Sequence, residues 1–191
     1  MSSSSVIELT YDQPQHFIPT AELRAGPFYV RSYWGVCNSD LDQVVGFRGF
    51  NSLCGVVTSQ HGREGSLASY PYMIQLNDDR VGGEGEAVQG DLGQVTQYIE
   101  KICVGVYGND HRTSLGGVPD LVTVLYLPGQ PEIQVRPRGI RSAGCTVMLI
   151  EIARFGISVY YDVVGFDTAA WNTPLESLTA VWNEAFWGRS K

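Results

Sequence analysis

Four apolar segments in the C-terminal half of the chain are joined by connections too short to contain a crossover helix. They are Leu121–Leu127, Ile133–Arg136, Cys145–Ala153 and Ile157–Val164. Parallel neighbouring strands need a connection of about a dozen residues or more, whereas antiparallel strands can be joined by a tight turn. The spacing therefore predicts an antiparallel meander of four strands.

Further strands are expected in the N-terminal half, where apolar side chains recur at every second position. These segments are Val6–Tyr11, Phe28–Val36 and Tyr70–Leu76. Residues 38–55 are undecided between helix and strand. Asn38 or Ser39 could cap a short helix, but Gly46 and Gly49 would each weaken it by about 1 kcal/mol.

Two amphipathic helices are predicted. The first begins at Asp91, which has capping-box spacing to Gln94, and continues to Gly108. Its apolar stripe is Leu92, Val95, Ile99, Ile102 and Val106. The second begins at Thr173 and ends near Gly188, with the apolar stripe Leu175, Leu178, Trp182, Ala185 and Phe186.

Together these elements predict an α+β fold, in which a mostly antiparallel sheet of six to seven strands is covered by two main helices. A chain of 191 residues fits one domain, so residues 1–191 are expected to form a single domain with a flexible N-terminal tail at residues 1–5. The antiparallel sheet is predicted from the short connections between apolar segments, and the two helices are predicted from their apolar stripes.

Charge and cysteine usage limit the classes of partner. The net charge is −7, which disfavours nucleic acid and anionic membranes because both require a basic face. No apolar run approaches the length that spans a bilayer, and no secretory signal is visible at the N-terminus. The four cysteines are scattered and read as free thiols, so a reducing, cytoplasmic location is expected.

The standard catalytic and cofactor motifs are missing from the sequence. No phosphate-binding loop, nucleophile elbow or metal-ligand spacing can be found, so no cofactor and no metal site are predicted. The segment Asn77–Glu86 reads as a flexible loop. Its glycines alternate with acids, and those acids would repel a phosphate rather than bind it.

One pair of residues is a candidate for acid/base chemistry. Asp110 and His111 place a carboxylate beside an imidazole whose ordinary pKa of about 6.5 lies near neutrality. Cys54 and His61 are a weaker candidate for a thiolate–imidazolium pair, because Cys54 lies in an apolar segment that reads as buried.

Five residues are candidates for binding a partner. Arg136, Arg138 and Arg141 form a basic cluster that could grip a carboxylate or an acidic protein patch. Trp171 and Trp187 flank the predicted C-terminal helix, and tryptophan is frequent at the energetic centres of protein interfaces.

Three functions follow from these features. The favoured one is a non-catalytic interaction or assembly protein, either a subunit of a larger particle or an acidic inhibitor of a basic partner, which would bind another protein or itself. The alternatives are a small cytosolic enzyme that uses Asp110 and His111, and a binder of an apolar small molecule.

Overall fold

Two seven-stranded β-sheets pack face to face. A computed structural model of the chain describes residues 5–37, 39–59, 62–108 and 114–166. The interface between the sheets forms the main core, to which both layers contribute fully buried side chains, such as Val30 and Val88 from one sheet and Val45 and Val104 from the other. The protein is therefore a β-sandwich.

The strands are defined as follows. In chain order, the first seven are β1 (Val6–Leu9), β2 (Gln15–Pro19), β3 (Pro27–Tyr33), β4 (Leu41–Gly49), β5 (Cys54–Thr58), β6 (Gly65–Ser66) and β7 (Met73–Gln75). The remaining seven are β8 (Glu86–Asp91), β9 (Ile99–Gly108), β10 (Val122–Tyr126), β11 (Glu132–Val135), β12 (Gly144–Ala153), β13 (Gly156–Tyr161) and β14 (Gly165–Phe166). Sheet A has the order β1-β11-β10-β3-β8-β7-β6. Sheet B has the order β2-β13-β12-β9-β4-β5, with β14 paired to β12.

The pairing is almost entirely antiparallel, as predicted, and among the described strands only β1 and β11 run parallel. The predicted strands at Val6–Tyr11, Phe28–Val36 and Tyr70–Leu76 are confirmed as β1, β3 and β7 with shorter bounds. The undecided segment 38–55 contains β4, whose nine residues are all buried. Gly46 pairs with Val56 of β5 and Cys103 of β9, and Gly49 pairs with Ile99 of β9. The neighbouring strands therefore hold the backbone of both glycines in place.

The predicted α+β class, with two main helices covering one sheet, is wrong. The described residues contain one α-helix, α1 (Leu92–Tyr98), and two short 3₁₀ turns at Thr20–Glu22 and Leu115–Gly117. The apolar faces of the sheets are buried mainly against each other, so no helical layer is needed between them. The second predicted helix, at 173–188, lies outside the described residues.

The first predicted helix starts correctly but ends too late. The side chain of Asp91 accepts a hydrogen bond from the backbone N–H of Gln94 at 3.2 Å, which confirms the cap. After Tyr98 the chain becomes β9, a central strand of sheet B. Residues 99–108 carry apolar side chains on both faces, and in such a run the spacing of Ile99 and Ile102 imitates a helical period.

The predicted four-stranded meander is divided between the two layers. β10 and β11 form a hairpin in sheet A, while β12 and β13 form a hairpin in sheet B. Residues 136–143 connect one layer to the other. Both tight turns were predicted correctly, but the connection between the hairpins is long enough to change sheets.

All four cysteines are thiols rather than disulfides. Cys54, which the sequence places among buried residues, is exposed, while Cys103 and Cys145 are fully buried. Among the helices of the described residues, none has the length and apolarity required to cross a lipid bilayer.

Candidate metal centre

Three carboxylates meet at one end of the sandwich. Asp42 lies near the start of β4, Glu86 opens β8, and Asp78 lies in the loop between β7 and β8. One oxygen from each of the three side chains lies within 4.8 Å of the others. Sheet B supplies Asp42 and sheet A supplies the other two, so the face-to-face packing of the layers assembles the cluster.

Glu86 is the least solvated member of the cluster. The residue is 0% exposed. Its Oε2 accepts hydrogen bonds from the backbone N–H of Gln43 at 2.8 Å and from Nε2 of Gln75 at 3.2 Å. Its Oε1 is buried and has no hydrogen-bond partner among the residues that the structure describes. A buried polar atom without a partner is costly, and in native proteins it calls for an explanation such as a bound ion.

Gln43 holds the two sheets together beside this carboxylate. Strand β5 ends at Thr58, opposite Val44, so the backbone N–H of Gln43 has no ladder partner on that side and donates to Glu86 instead. The side chain of Gln43 crosses the sandwich. Its Oε1 accepts from the backbone N–H of Ser32 at 2.9 Å, and its Nε2 donates to the carbonyl of Val30 at 3.2 Å.

Burial and mutual repulsion shift the acids of the cluster. Burial raises the pKa of Glu86 from 4.5 to about 9, and the charges of Asp42 and Asp78 add to the increase. Burial likewise raises the pKa of Asp42 from 3.8 to about 6, although a hydrogen bond from Ser59 Oγ at 2.9 Å opposes the change. Near neutral pH, Glu86 therefore holds a proton unless a positive charge replaces it.

The loop between β7 and β8 is shaped by Asp79. Its Oδ1 accepts from the backbone N–H groups of Val81 and Gly82, and its Oδ2 accepts from those of Glu84 and Gly85, at 2.6–3.2 Å. Partial burial opposes ionisation, but these four donors hold the pKa of Asp79 below its usual value. Asp79 thus fixes the loop that presents the neighbouring Asp78.

Asp78 is the outermost member of the cluster. Its Oδ2 accepts from Nε of Arg80 at 3.0 Å, in an ion pair whose side chains are 38% and 77% exposed. An exposed ion pair of this kind contributes little to stability. Asp78 can therefore exchange the guanidinium for another positive charge at small cost.

One glycine of the loop is required by close packing. Gly85 has φ +73, and a Cβ built on it would lie 2.1 Å from the carbonyl oxygen of Ser32. The backbone of the loop therefore runs directly against β3, which brings Glu86 into register opposite Ser32.

The donor set suits a hard divalent cation. Carboxylate oxygens are preferred by Ca²⁺ and Mg²⁺, and opposite ligands of Ca²⁺ lie about 4.6–5.2 Å apart because each bond measures about 2.3–2.6 Å. A separation of up to 4.8 Å is compatible with that geometry. The residues fit a metal ion that would neutralise the cluster and bind the free Oε1 of Glu86.

Of the candidate residues singled out from the sequence, the structure describes Arg136, Arg138, Arg141 and Cys54, and none of these belongs to the cluster. Asp110, His111, Trp171 and Trp187 lie outside the described residues, as does His61. Arg136 and Arg138 line a cavity of about 340 Å³ beside the 3₁₀ turn at Leu115–Gly117.

The basic cluster spreads over an exposed surface. Arg138 lies 4.0 Å from a carboxylate oxygen of Glu8, and its side chain is 79% exposed. Arg141 is exposed and does not line the cavity. Partner binding by these arginines stays a prediction.

Sequence reasoning predicted no metal site and missed Asp42, Asp78 and Glu86. The available signal is the run of acids and glycines at 77–86, whose composition by itself predicts only a flexible loop that excludes phosphate. The same composition also supplies oxygen ligands on a backbone that can turn sharply. Asp42 gave no local signal, because it joins the others only when the two sheets pack.

Comparison with solved structures finds proteins with a similar overall fold. One similar structure is that of SAV2460, a protein of unknown function, with a TM-score of 0.59 and 14% identity over 79% of this chain and 96% of that one. The chain shares its fold. Another is a homologue of the telluride resistance protein TerD, SCO6318 from Streptomyces coelicolor, with a TM-score of 0.53 and 16% identity over 81% of this chain and 99% of that one. No protein-family model and no curated protein matches the sequence.

Proposed function

We propose that this protein is a non-catalytic domain that binds a hard divalent cation through Asp42, Asp78 and Glu86. The observation that carries the proposal is the unpartnered Oε1 of Glu86, a side chain that is 0% exposed and lies within reach of two other carboxylates. A cation at this point supplies the missing partner and permits all three acids to ionise together.

Ca²⁺ fits better than Mg²⁺. Three protein carboxylates are more than Mg²⁺ usually takes, because Mg²⁺ keeps several waters and is typically bound through one or two carboxylates. The acids also lie on a loop and two strand ends, and their arrangement tolerates the flexible coordination that Ca²⁺ accepts.

A role in protein interaction remains the proposal for what the cation-binding domain does. The centre lies at one end of the sandwich and its loop carries exposed residues, so binding of a cation would change the charge of a surface that a partner can contact. The thiol form of the four cysteines supports a reducing, intracellular location within the same proposal.

The test is a comparison of thermal stability with Ca²⁺, with Mg²⁺ and with a chelator. A ligand that binds only the folded state stabilises it by about 2.7 kcal/mol at a concentration of 100 Kd. The Tm of the unmodified chain should rise with Ca²⁺ and rise less with Mg²⁺. Glu86→Gln and Asp42→Asn should remove the rise.

Glu84→Gln is the matched control. It removes one negative charge from the same loop, and Glu84 is exposed and lies outside the cluster. It should keep the full response to Ca²⁺. An equal response in Glu86→Gln would contradict the proposed site, because the buried carboxylate would then have no part in binding.

A further inference from the structure

A cleft of about 460 Å³ opens at the end of the sandwich opposite the three carboxylates. Strands β4 and β8 both run from the carboxylates toward it. Asp42 and Glu86 lie at or near the starts of these strands, while Phe50 and Leu92, which line the cleft, follow their ends. Steps of about 3.3 Å per residue along β4 separate Asp42 from Phe50 by about 26 Å. The cleft is therefore distinct from the candidate metal centre.

The floor of the cleft is apolar. Leu92, Ile152 and Ile157 line it and are buried members of the core between the sheets. Leu23 and the exposed Phe50 extend this apolar lining toward the solvent. Pockets that bind small molecules measure about 300–1,000 Å³ and are lined mainly by apolar side chains, with a few polar groups that orient the ligand. The size and the lining of this cleft match that description.

Hydrogen bonds join the segments that form the walls. Thr20, at the start of the first 3₁₀ turn, donates its backbone N–H to the carbonyl of Phe155 at 2.9 Å and its Oγ1 to the carbonyl of Arg154 at 3.1 Å. The backbone N–H of Leu92, at the start of α1, donates to the carbonyl of Gly26 at 3.0 Å. The walls are thus fixed by the fold, and a ligand would not have to order them on binding.

The charged residues of the cleft are both positive. Arg24 and Arg154 line it, both are exposed, and neither forms an ion pair with a described residue. The described lining contains no acid, although the chain has 20 acidic residues and only 13 Lys and Arg. Asp91 lies beside the lining but caps α1, where its Oδ1 accepts from the N–H of Gln94. Two guanidinium groups beside an apolar floor favour a ligand with an anionic group.

The hydroxyl groups of the lining already donate hydrogen bonds within the protein. The lining contains two of them, on Thr20 and Thr96. Thr20 Oγ1 donates to the carbonyl of Arg154, as described above, and Thr96 Oγ1 donates to the carbonyl of Leu92 at 2.8 Å. The cleft therefore offers few free donors to a sugar or a nucleoside, whose many polar atoms would lose their bonds to water. An aliphatic chain has no such requirement.

We propose that this cleft binds an aliphatic carboxylate, with the alkyl chain on the apolar floor and the carboxylate beside Arg24 and Arg154. The chain would cover Leu92, Ile152 and Ile157 and remove apolar surface from water. The carboxylate would pair with guanidinium groups whose planar donors match its two oxygens. This binding site goes beyond the proposed cation binding and does not depend on it.

Calorimetric titration of the full chain with octanoate tests the site, in a chelator so that the result is separate from cation binding. The chain should bind a single octanoate, and octanol, which has the same alkyl chain without the charge, should bind more weakly. Arg24→Gln and Arg154→Gln should each lower the affinity about two- to fivefold, as expected for the loss of one exposed ion pair. Arg63→Gln removes the same charge from an exposed side chain outside the cleft and should leave the affinity unchanged.

A second pair of variants distinguishes the cleft from the rest of the surface. Ala25→Trp adds an indole at an exposed position of the lining and should abolish octanoate binding in protein that circular dichroism shows to be folded. Ala21→Trp adds the same side chain to the 3₁₀ turn outside the lining and should bind octanoate like the unmodified chain. The proposal is overturned by no binding at millimolar octanoate, by octanol that binds as tightly, or by an unchanged affinity in Ala25→Trp or in both arginine variants.

Discussion

Gln43 and Glu86 join the two sheets where the three carboxylates meet, through a 2.8 Å hydrogen bond from the backbone N–H of Gln43 to Oε2 of Glu86. The same glutamine reaches Ser32 and Val30 on sheet A with its side chain. The end of the sandwich is thus fixed by polar contacts, and the other oxygen of Glu86, Oε1, is buried without a hydrogen-bond partner among the described residues.

Replacing Gln43 with Leu should destabilise the fold strongly. The substitution leaves the buried N–H of Ser32 and the carbonyl of Val30 without their partners, and each orphaned group costs about 1–3 kcal/mol. A loss of about 3 kcal/mol in the free energy of unfolding is expected from urea titration. Gln89→Leu, at a half-buried position of β8, should change it by less than about 1 kcal/mol. Equal losses in the two variants would show that the contacts of Gln43 across the sheets contribute no stability.

Without metal, stability should fall as pH rises. Glu86 and Asp42 have raised pKa values in the folded state, so each binds a proton more tightly there than in the unfolded state. For Glu86 this difference applies between pH 4.5 and about 9. For Asp42 it applies between pH 3.8 and about 6. The stability that each protonated carboxyl group contributes is fully present below its window and is lost as the pH rises through it. With a chelator present, the urea concentration at the midpoint of unfolding should decrease as the pH is raised from 5 to 9.

Glu86→Gln removes the larger of these two titrations. Its urea midpoint should vary much less between pH 6 and pH 9 than that of the unmodified chain. A decline of the same steepness in the variant would show that other groups dominate the pH dependence.

Asp79 should matter to metal affinity although it is not one of the three clustered acids. Asp79→Ala deletes the acceptor of four backbone N–H groups and releases the loop that carries Asp78. Supporting residues of this kind change metal affinity by about 10–100-fold, and calorimetry should find a Ca²⁺ affinity lower by that factor. Glu84→Ala is the control, and an unchanged affinity in Asp79→Ala would contradict the role of the loop.

Gly85→Ala separates steric contact from backbone strain. Both Gly85 and Gly62 have positive φ, but a Cβ on Gly85 would meet Ser32 at 2.1 Å, while a Cβ on Gly62 meets nothing within 4 Å. Gly62→Ala should cost about 1 kcal/mol from the left-handed backbone alone. Gly85→Ala should cost clearly more, and similar thermal shifts in the two variants would argue against close packing on β3.

Local patterns predicted local structure well. Alternation in Phe28–Val36 gave β3, and the capping spacing of Asp91 and Gln94 gave the start of α1. The pattern failed at Ile99–Gly108, because a central strand buried on both faces has no alternation and its apolar residues fit a helical period equally well.

The complete candidate metal centre could not be predicted from sequence patterns, for a different reason. Asp42 is separated from Glu86 by more than forty residues, and only the packing of sheet B on sheet A brings them together. The division of the two C-terminal hairpins between sheets is equally non-local, since residues 136–143 could connect strands within one layer or across both.

Calorimetric titration of the metal-free protein with Ca²⁺ at pH 7, repeated in buffers of different ionisation enthalpy, tests the central claim most directly. The account predicts binding of a single ion with release of about one proton, because Glu86 must lose its proton to become a ligand. The proton release should vanish in Glu86→Gln. No binding at millimolar Ca²⁺, or binding without any proton release, would contradict the claim that the buried carboxylate of Glu86 is a ligand.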